Sequence, residues 1–78
     1  MNSCVVAKNP FTPPDVLRVL SQDKEWLVRW NVAENPSTPS DILAFLSHDM
    51  DSWVRLSALS NPSTPYGIWI DPWGRVLP

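Results

Sequence analysis

Asn35-Pro36-Ser37-Thr38-Pro39-Ser40-Asp41-Ile42-Leu43 sits at the centre of the chain, and its first five residues have two echoes. Asn9-Pro10-Phe11-Thr12-Pro13 precedes it and Asn61-Pro62-Ser63-Thr64-Pro65 follows it, each at an offset of 26 residues. Outward from these corners the same register pairs Asp15 with Asp41, Leu17 with Leu43, Leu20 with Leu46, Ser21 with Ser47 and Asp23 with Asp49. Val28 and Arg29 meet Val54 and Arg55, and two longer columns hold Val6/Val32/Ala58 and Cys4/Trp30/Leu56. So many matches at one fixed period make the chain a tandem repeat.

Each unit reads as two short helices with firm stops. Thr12 and Thr38 are expected to cap the first helix, with Pro13 and Pro39 at its first position and Asp15 and Asp41 facing its unpaired amides. Val16, Leu17, Val19 and Leu20, copied as Ile42, Leu43, Phe45 and Leu46, suit two helical turns. Asp23 and Asp49 open a second helix, roughly Lys24–Glu34 and Met50–Ser60. It must end at Asn35 or Asn61, because a residue before proline is pushed out of the helical region. The first nine residues match the second half of a unit, so a helix is expected near Asn2–Lys8. The division is then a helical repeat region over 1–65, comprising a half-repeat 1–9 and repeats 10–35 and 36–61. A capping tail follows over 66–78.

These residues resemble the variant leucine-rich repeat family, whose units run V-R-x-x-V-A-x-N-P-x-T-P-x-x-V-L-x-x-L-x-x-D. Val28-Arg29, Val32-Ala33, Asn35-Pro36, Thr38-Pro39, Ile42-Leu43, Leu46 and Asp49 carry the likeness, which covers residues 6–65. The resemblance implies an all-α fold: a short right-handed α-solenoid of about two and a half two-helix repeats, with α-helices alternating with 3₁₀-like ones. The family's founding member carries an iron–sulfur cluster on a cysteine-rich N-terminal region. This chain lacks that region, so no cofactor is carried over, and the family implies no shared catalytic site.

The third unit departs from the pattern at Gly67, where the other two hold Asp15 and Asp41. Asp71-Pro72-Trp73-Gly74 has the residues of a turn, and Ile68–Ile70 and Arg75–Leu77 flank it as a short β-hairpin. Solenoid ends need cover, so this tail is read as a cap.

Composition narrows the function. The chain has 78 residues, enough for one small domain, and 44% of them are hydrophobic, which is a folding composition. Six basic residues against eight acidic ones, a net charge of −2, give no electrostatic footprint for nucleic acid or an anionic membrane. A nucleic-acid-binding helical-repeat protein is the alternative reading, and a steep salt dependence would favour it. No apolar run approaches a membrane span and none follows Met1 as a secretory core, so a soluble cytoplasmic protein is expected. The initial methionine and the absence of a linker suggest a complete small protein. The single Cys4 excludes an internal disulfide. With one histidine, one cysteine and two glycines, the chain has little from which to build an enzyme, a cofactor site or a metal site.

What remains is a small non-enzymatic protein-interaction module, an adaptor or steric inhibitor that binds another protein or itself. Five tryptophans supply its candidate anchors. Trp26 shares its column with Ser52, and Trp73 stands in the proposed turn, so both are open to a partner-binding role; Trp69 could serve there or fold down as part of the cap. Trp30 and Trp53 align with Leu56 and Leu27 and are expected in the core. Arg29 and Arg55 stack one repeat apart and could line a partner-binding groove for an anionic ligand. The preferred alternative gives them same-helix ion pairs with Glu25 and Asp51, each four residues earlier. Cys4, in an apolar column, is expected to be a buried, inert thiol, and His48 a solvent-facing residue.

Overall fold

The computed structural model describes residues 2–64 together with the pairs 69–70 and 76–77. Five α-helices occupy the described residues: α1 (Ser3–Lys8), α2 (Pro14–Leu20), α3 (Trp26–Glu34), α4 (Ser40–Leu46) and α5 (Ser52–Ser60). Two short strands follow, β1 (Trp69–Ile70) and β2 (Val76–Leu77), paired antiparallel with Trp69 opposite Leu77 and Ile70 opposite Val76. The paired residues fall within the expected strands Ile68–Ile70 and Arg75–Leu77. The Asp71–Gly74 turn and the capping role of the tail lie outside the described residues.

The helices end where proline dictates. Asn9, Asn35 and Asn61 each close a helix in the extended region, near φ −72°, ψ 122° at Asn9. That is the conformation a following proline requires. The extended corner turns the asparagine side chain back along the stack. Asn35 Nδ2 donates to Ala7 O at 2.8 Å and to Asn9 O at 2.9 Å, while its Oδ1 accepts from Ser37 N. Asn61 repeats the bonds one unit later, donating to Ala33 O and Asn35 O, both at 2.9 Å. Asn35 is 1% exposed, so its amide lies where water cannot reach and is satisfied by carbonyls of the preceding unit.

Thr12 and Thr38 do not cap the helices that follow them. Thr12 Oγ1 donates to Val6 O at 2.5 Å, Thr38 Oγ1 donates to Val32 O at 2.6 Å, and Thr64 makes the same bond to Ala58 O. The hydroxyl locks the end of the preceding helix, where carbonyls lack intrahelical partners. The N-cap positions of α2 and α4 are Pro13 and Pro39, neither with a side-chain cap bond. Asp15 and Asp41 do lie in the first turns.

The second helices begin two residues later than expected. Asp23 and Asp49 fold their carboxylates onto the amides of Glu25 and Asp51 at 2.9 Å, forming tight turns ahead of α3 and α5. Asp51 then caps α5 by accepting from Trp53 N and Val54 N.

α3 packs between α1 on one side and α5 on the other, and α2 and α4 lie against this layer. The buried core comprises Ala7, Leu17, Val28, Val32, Ala33, Ile42, Leu43, Leu46, Val54 and Ala58. Val16, Val19 and Phe45, expected on the apolar side of α2 and α4, are exposed. Leu17 and Leu43 point inward and leave them the outer face.

Candidate interaction surface

Two features of the described surface can receive a partner. The first is the outward side of the α1, α3 and α5 layer. The residues Leu27, Trp30, Asn31 and Glu34 of α3 fall at i, i+3, i+4 and i+7, which places them on one side of the helix. Trp53, Leu56, Ser57 and Ser60 stand in the same places on α5, and Cys4, Val5 and Lys8 on α1. Ser57 Oγ donates to Glu34 Oε1 at 2.8 Å, joining α3 and α5 on this side. The remainder is mostly apolar and open: Trp53 is 62% exposed, Leu56 56%, Val5 50% and Leu27 42%.

This corrects the expectation that Trp53, in the column of Leu27, is a core residue. Period 26 ensures that the two share an environment but leaves open which one. Val28 and Val54, the next residues along, take the inward position, and a residue one step back on a helix turns about 100° away. The Cys4/Trp30/Leu56 column is likewise less uniform than expected. Cys4 and Trp30 are half-buried against the core, while Leu56 is exposed. Trp26 is 45% exposed, in line with its polar column, and its ring lies 6.5 Å from that of Trp30 at a tilt of 55°. That geometry suits an aromatic pair and gives Trp26 a packing role alongside its open edge. The side chains of Trp69 and Trp73 lie outside the described residues.

The second feature is a groove of about 650 Å³ between the α2–α3 and α4–α5 turns, lined by Asp23, Arg29, Phe45, His48, Asp49 and Met50. Arg29 is not free to meet a ligand there. Its Nε and Nη2 donate to the Asp49 carboxylate at 2.8 and 3.2 Å, and its Nη1 donates to Asp23 O at 2.7 Å. The side chains of this pair are 15% and 8% exposed. Arg55 anchors the same way, its Nη1 donating to Asp49 O at 2.6 Å and to Met50 O at 3.1 Å.

The expected pairs Glu25–Arg29 and Asp51–Arg55 are not among the ion pairs of the described residues. A same-helix contact in water contributes a few tenths of a kcal/mol, and a shielded two-point contact outcompetes it. The Asp49 carboxylate lies where both bonds form at once, and Asp51 is engaged at the α5 amides. Sequence spacing within one helix gave no sign of the Arg29–Asp49 pair. The repetition of both columns, Arg29/Arg55 and Asp23/Asp49, was the available signal.

A second cross-unit pair, Arg18 Nη1 to Asp41 Oδ2 at 2.7 Å, is open to solvent on both sides. The hydrogen bond from Arg18, reinforced by its charge, lowers the Asp41 pKa below its ordinary value. His48 is exposed as expected. No group of three or more metal-ligating side chains comes together among the described residues, and no helix there is long and apolar enough to cross a membrane. No family model matches the chain, and no curated protein and no solved structure is significantly similar to it.

Proposed function

We propose that the chain is a small non-enzymatic protein-interaction module, an adaptor or a steric inhibitor, built as a short α-solenoid of the variant leucine-rich repeat kind. The observation that carries this reading is the open apolar strip across α1, α3 and α5, formed by Val5, Leu27, Trp53 and Leu56. A single exposed apolar residue has no particular meaning, but a contiguous strip on adjoining helices is a common mark of a binding surface. Tryptophan within such a strip is the residue type most often found at the energetic centre of interfaces. Trp26 supplies a further aromatic beside the strip. Support for the solenoid comes from the bonds that recur at 26-residue spacing, Asn35 and Asn61 above all. The reading places the protein in a reducing, cytoplasmic setting, consistent with its single cysteine.

The test is a comparative capture experiment. Immobilised protein and the variant carrying Leu27→Ser and Trp53→Ser are exposed to the same extract, and the retained proteins are identified by mass spectrometry. A protein retained by the parent and lost from the equally stable variant supports the reading. Identical retention by both sinks it.

A further inference from the structure

We infer that the outer edge of the Arg55 guanidinium is a binding site for a carboxylate, supplied by an Asp or Glu side chain of the protein that docks on α5. The inference rests on the interaction reading and gives the partner its chemistry: an acidic residue set among apolar ones.

The argument is a comparison within the chain. Arg29 and Arg55 stand 26 residues apart, and each is fixed by the same backbone contact. Arg29 Nη1 donates to Asp23 O at 2.7 Å, and Arg55 Nη1 donates to Asp49 O at 2.6 Å. The second edge of Arg29, Nε with Nη2, closes side-on against Asp49. Asp49 belongs to the following unit, so Arg55 would need an acid 26 residues beyond Asp49. That position is 75, and it holds arginine. Among the described residues no acidic side chain takes the place of Asp49 at Arg55.

Among the described residues the second edge of Arg55, Nε with Nη2, has no partner, and the residue is half-buried rather than enclosed. Its Nη1 is held by two carbonyls, so the orientation of the guanidinium is set before a ligand arrives. Preorganisation of this kind strengthens binding by removing the entropy of ordering a long side chain. A planar fork with two parallel N–H donors fits a carboxylate better than a point charge does. Leu56, the next residue on α5, is exposed, and so is Met50, whose backbone carbonyl Arg55 binds and which is 94% exposed. A segment covering these apolar groups would bring an acidic side chain to the fork.

Nitrogen-15 NMR of the Arg Nε–Hε groups, with sodium acetate as the probe, tests the site without a known partner. Acetate is expected to move the Arg55 signal along a saturable curve, with sodium chloride at equal ionic strength leaving it in place. The Arg29 signal should respond to neither, and Arg55→Lys, which removes one Nε–Hε signal, should identify the moving resonance as that of Arg55 without lowering the melting temperature. An Arg55 signal that ignores acetate, or follows chloride equally, overturns the site. So does an Arg55 signal that already matches Arg29 in the acetate-free protein and reverts in Asp71→Asn, because the chain's own carboxylate then closes the edge. For a protein captured through Leu27 and Trp53, Arg55→Lys should weaken binding at least tenfold, and unchanged affinity overturns the partner assignment. If the parent captures nothing that the Leu27/Trp53 variant loses, the interaction reading fails, and the partner assignment with it. The acetate titration still decides the carboxylate site.

Discussion

The Asn-Pro corners and the outer side of α1, α3 and α5 respond to the same 26-residue register in opposite ways. At the corners equivalent residues make equivalent bonds: Asn35 and Asn61 each donate to two carbonyls of the preceding unit, and Thr12, Thr38 and Thr64 each lock the helix before them. On the outer side equivalent positions differ freely. Leu27 shares its column with Trp53, Trp30 with Leu56 and Cys4, and Lys8 with Glu34 and Ser60. Desolvation accounts for the contrast. A buried carbonyl without a donor costs free energy wherever it occurs, so each corner must be solved the same way. A solvent-facing site imposes no such condition, and its residues can serve a partner.

The largest effect that could break this contrast comes from the corner. Asn35→Ala leaves Ala7 O without its donor and Asn9 O with one bond fewer, and should lower stability by about 3 kcal/mol. Urea denaturation would register it as a lower midpoint with an unchanged slope. Asn35→Asp should be no better at neutral pH, since a carboxylate offers those carbonyls no hydrogen. A corner variant as stable as the parent would refute the desolvation argument.

A second, somewhat smaller effect belongs to the half-buried arginine pair. Asp49→Asn retains the side-chain shape but loses the charge that Arg29 holds, and should cost about 2 kcal/mol. Arg55→Met should cost less, because Arg55 bonds only backbone carbonyls among the described residues. Equal losses for Arg29→Met and Arg55→Met, measured by the same denaturation, would mean that Asp49 adds nothing.

The outer side should barely register in stability. Leu27→Ser and Trp53→Ser are each expected within about 0.5 kcal/mol of the parent, the usual range for exposed positions. Trp30→Ala, on the same side but packed against the core, should cost clearly more. A large loss from Trp53→Ser would return that residue to the core and remove the proposed anchor.

The smallest effect is electrostatic. Asp41 has a lowered pKa in the folded protein, so its ionised form contributes stability above the unfolded carboxylate range, near pH 4, and that contribution disappears as pH falls through the folded value. Acid titration of the parent against Arg18→Ala should therefore show the two curves converging below that range. Since the pair is exposed, the separation above it should be slight and should shrink further with added salt. Curves that stay apart in strong acid would assign the Arg18 effect to packing.

Much of the helical framework could be read from the chain. The Asn-Pro steps placed the ends of α1, α3 and α5, because proline restricts the residue before it whatever the tertiary surroundings. Helix starts were less legible. Thr12-Pro13 and Thr38-Pro39 have the composition of a cap, and the threonine hydroxyl can bond forward or backward. Only the nearness of Val6 O and Val32 O in the folded corner decided for backward. Exposure of Trp26 followed from its column with Ser52, whereas exposure of Trp53 did not follow from its column with Leu27, since two apolar residues do not declare which way their shared position faces.

The sequence by itself determined the period, the helix ends and the columns of equivalent residues, since these depend on local backbone restriction and on repetition along the chain. Tertiary structure alone decided the partners across units: Asn35 with Ala7 and Asn9, Arg29 with Asp49, Arg18 with Asp41. It also decided which apolar column turned outward. Each of those partnerships joins groups 20 or more residues apart, the Asn35 and Arg29 contacts favoured by shielding from water and the Arg18–Asp41 pair formed in the open, and no spacing within a single helix records the result.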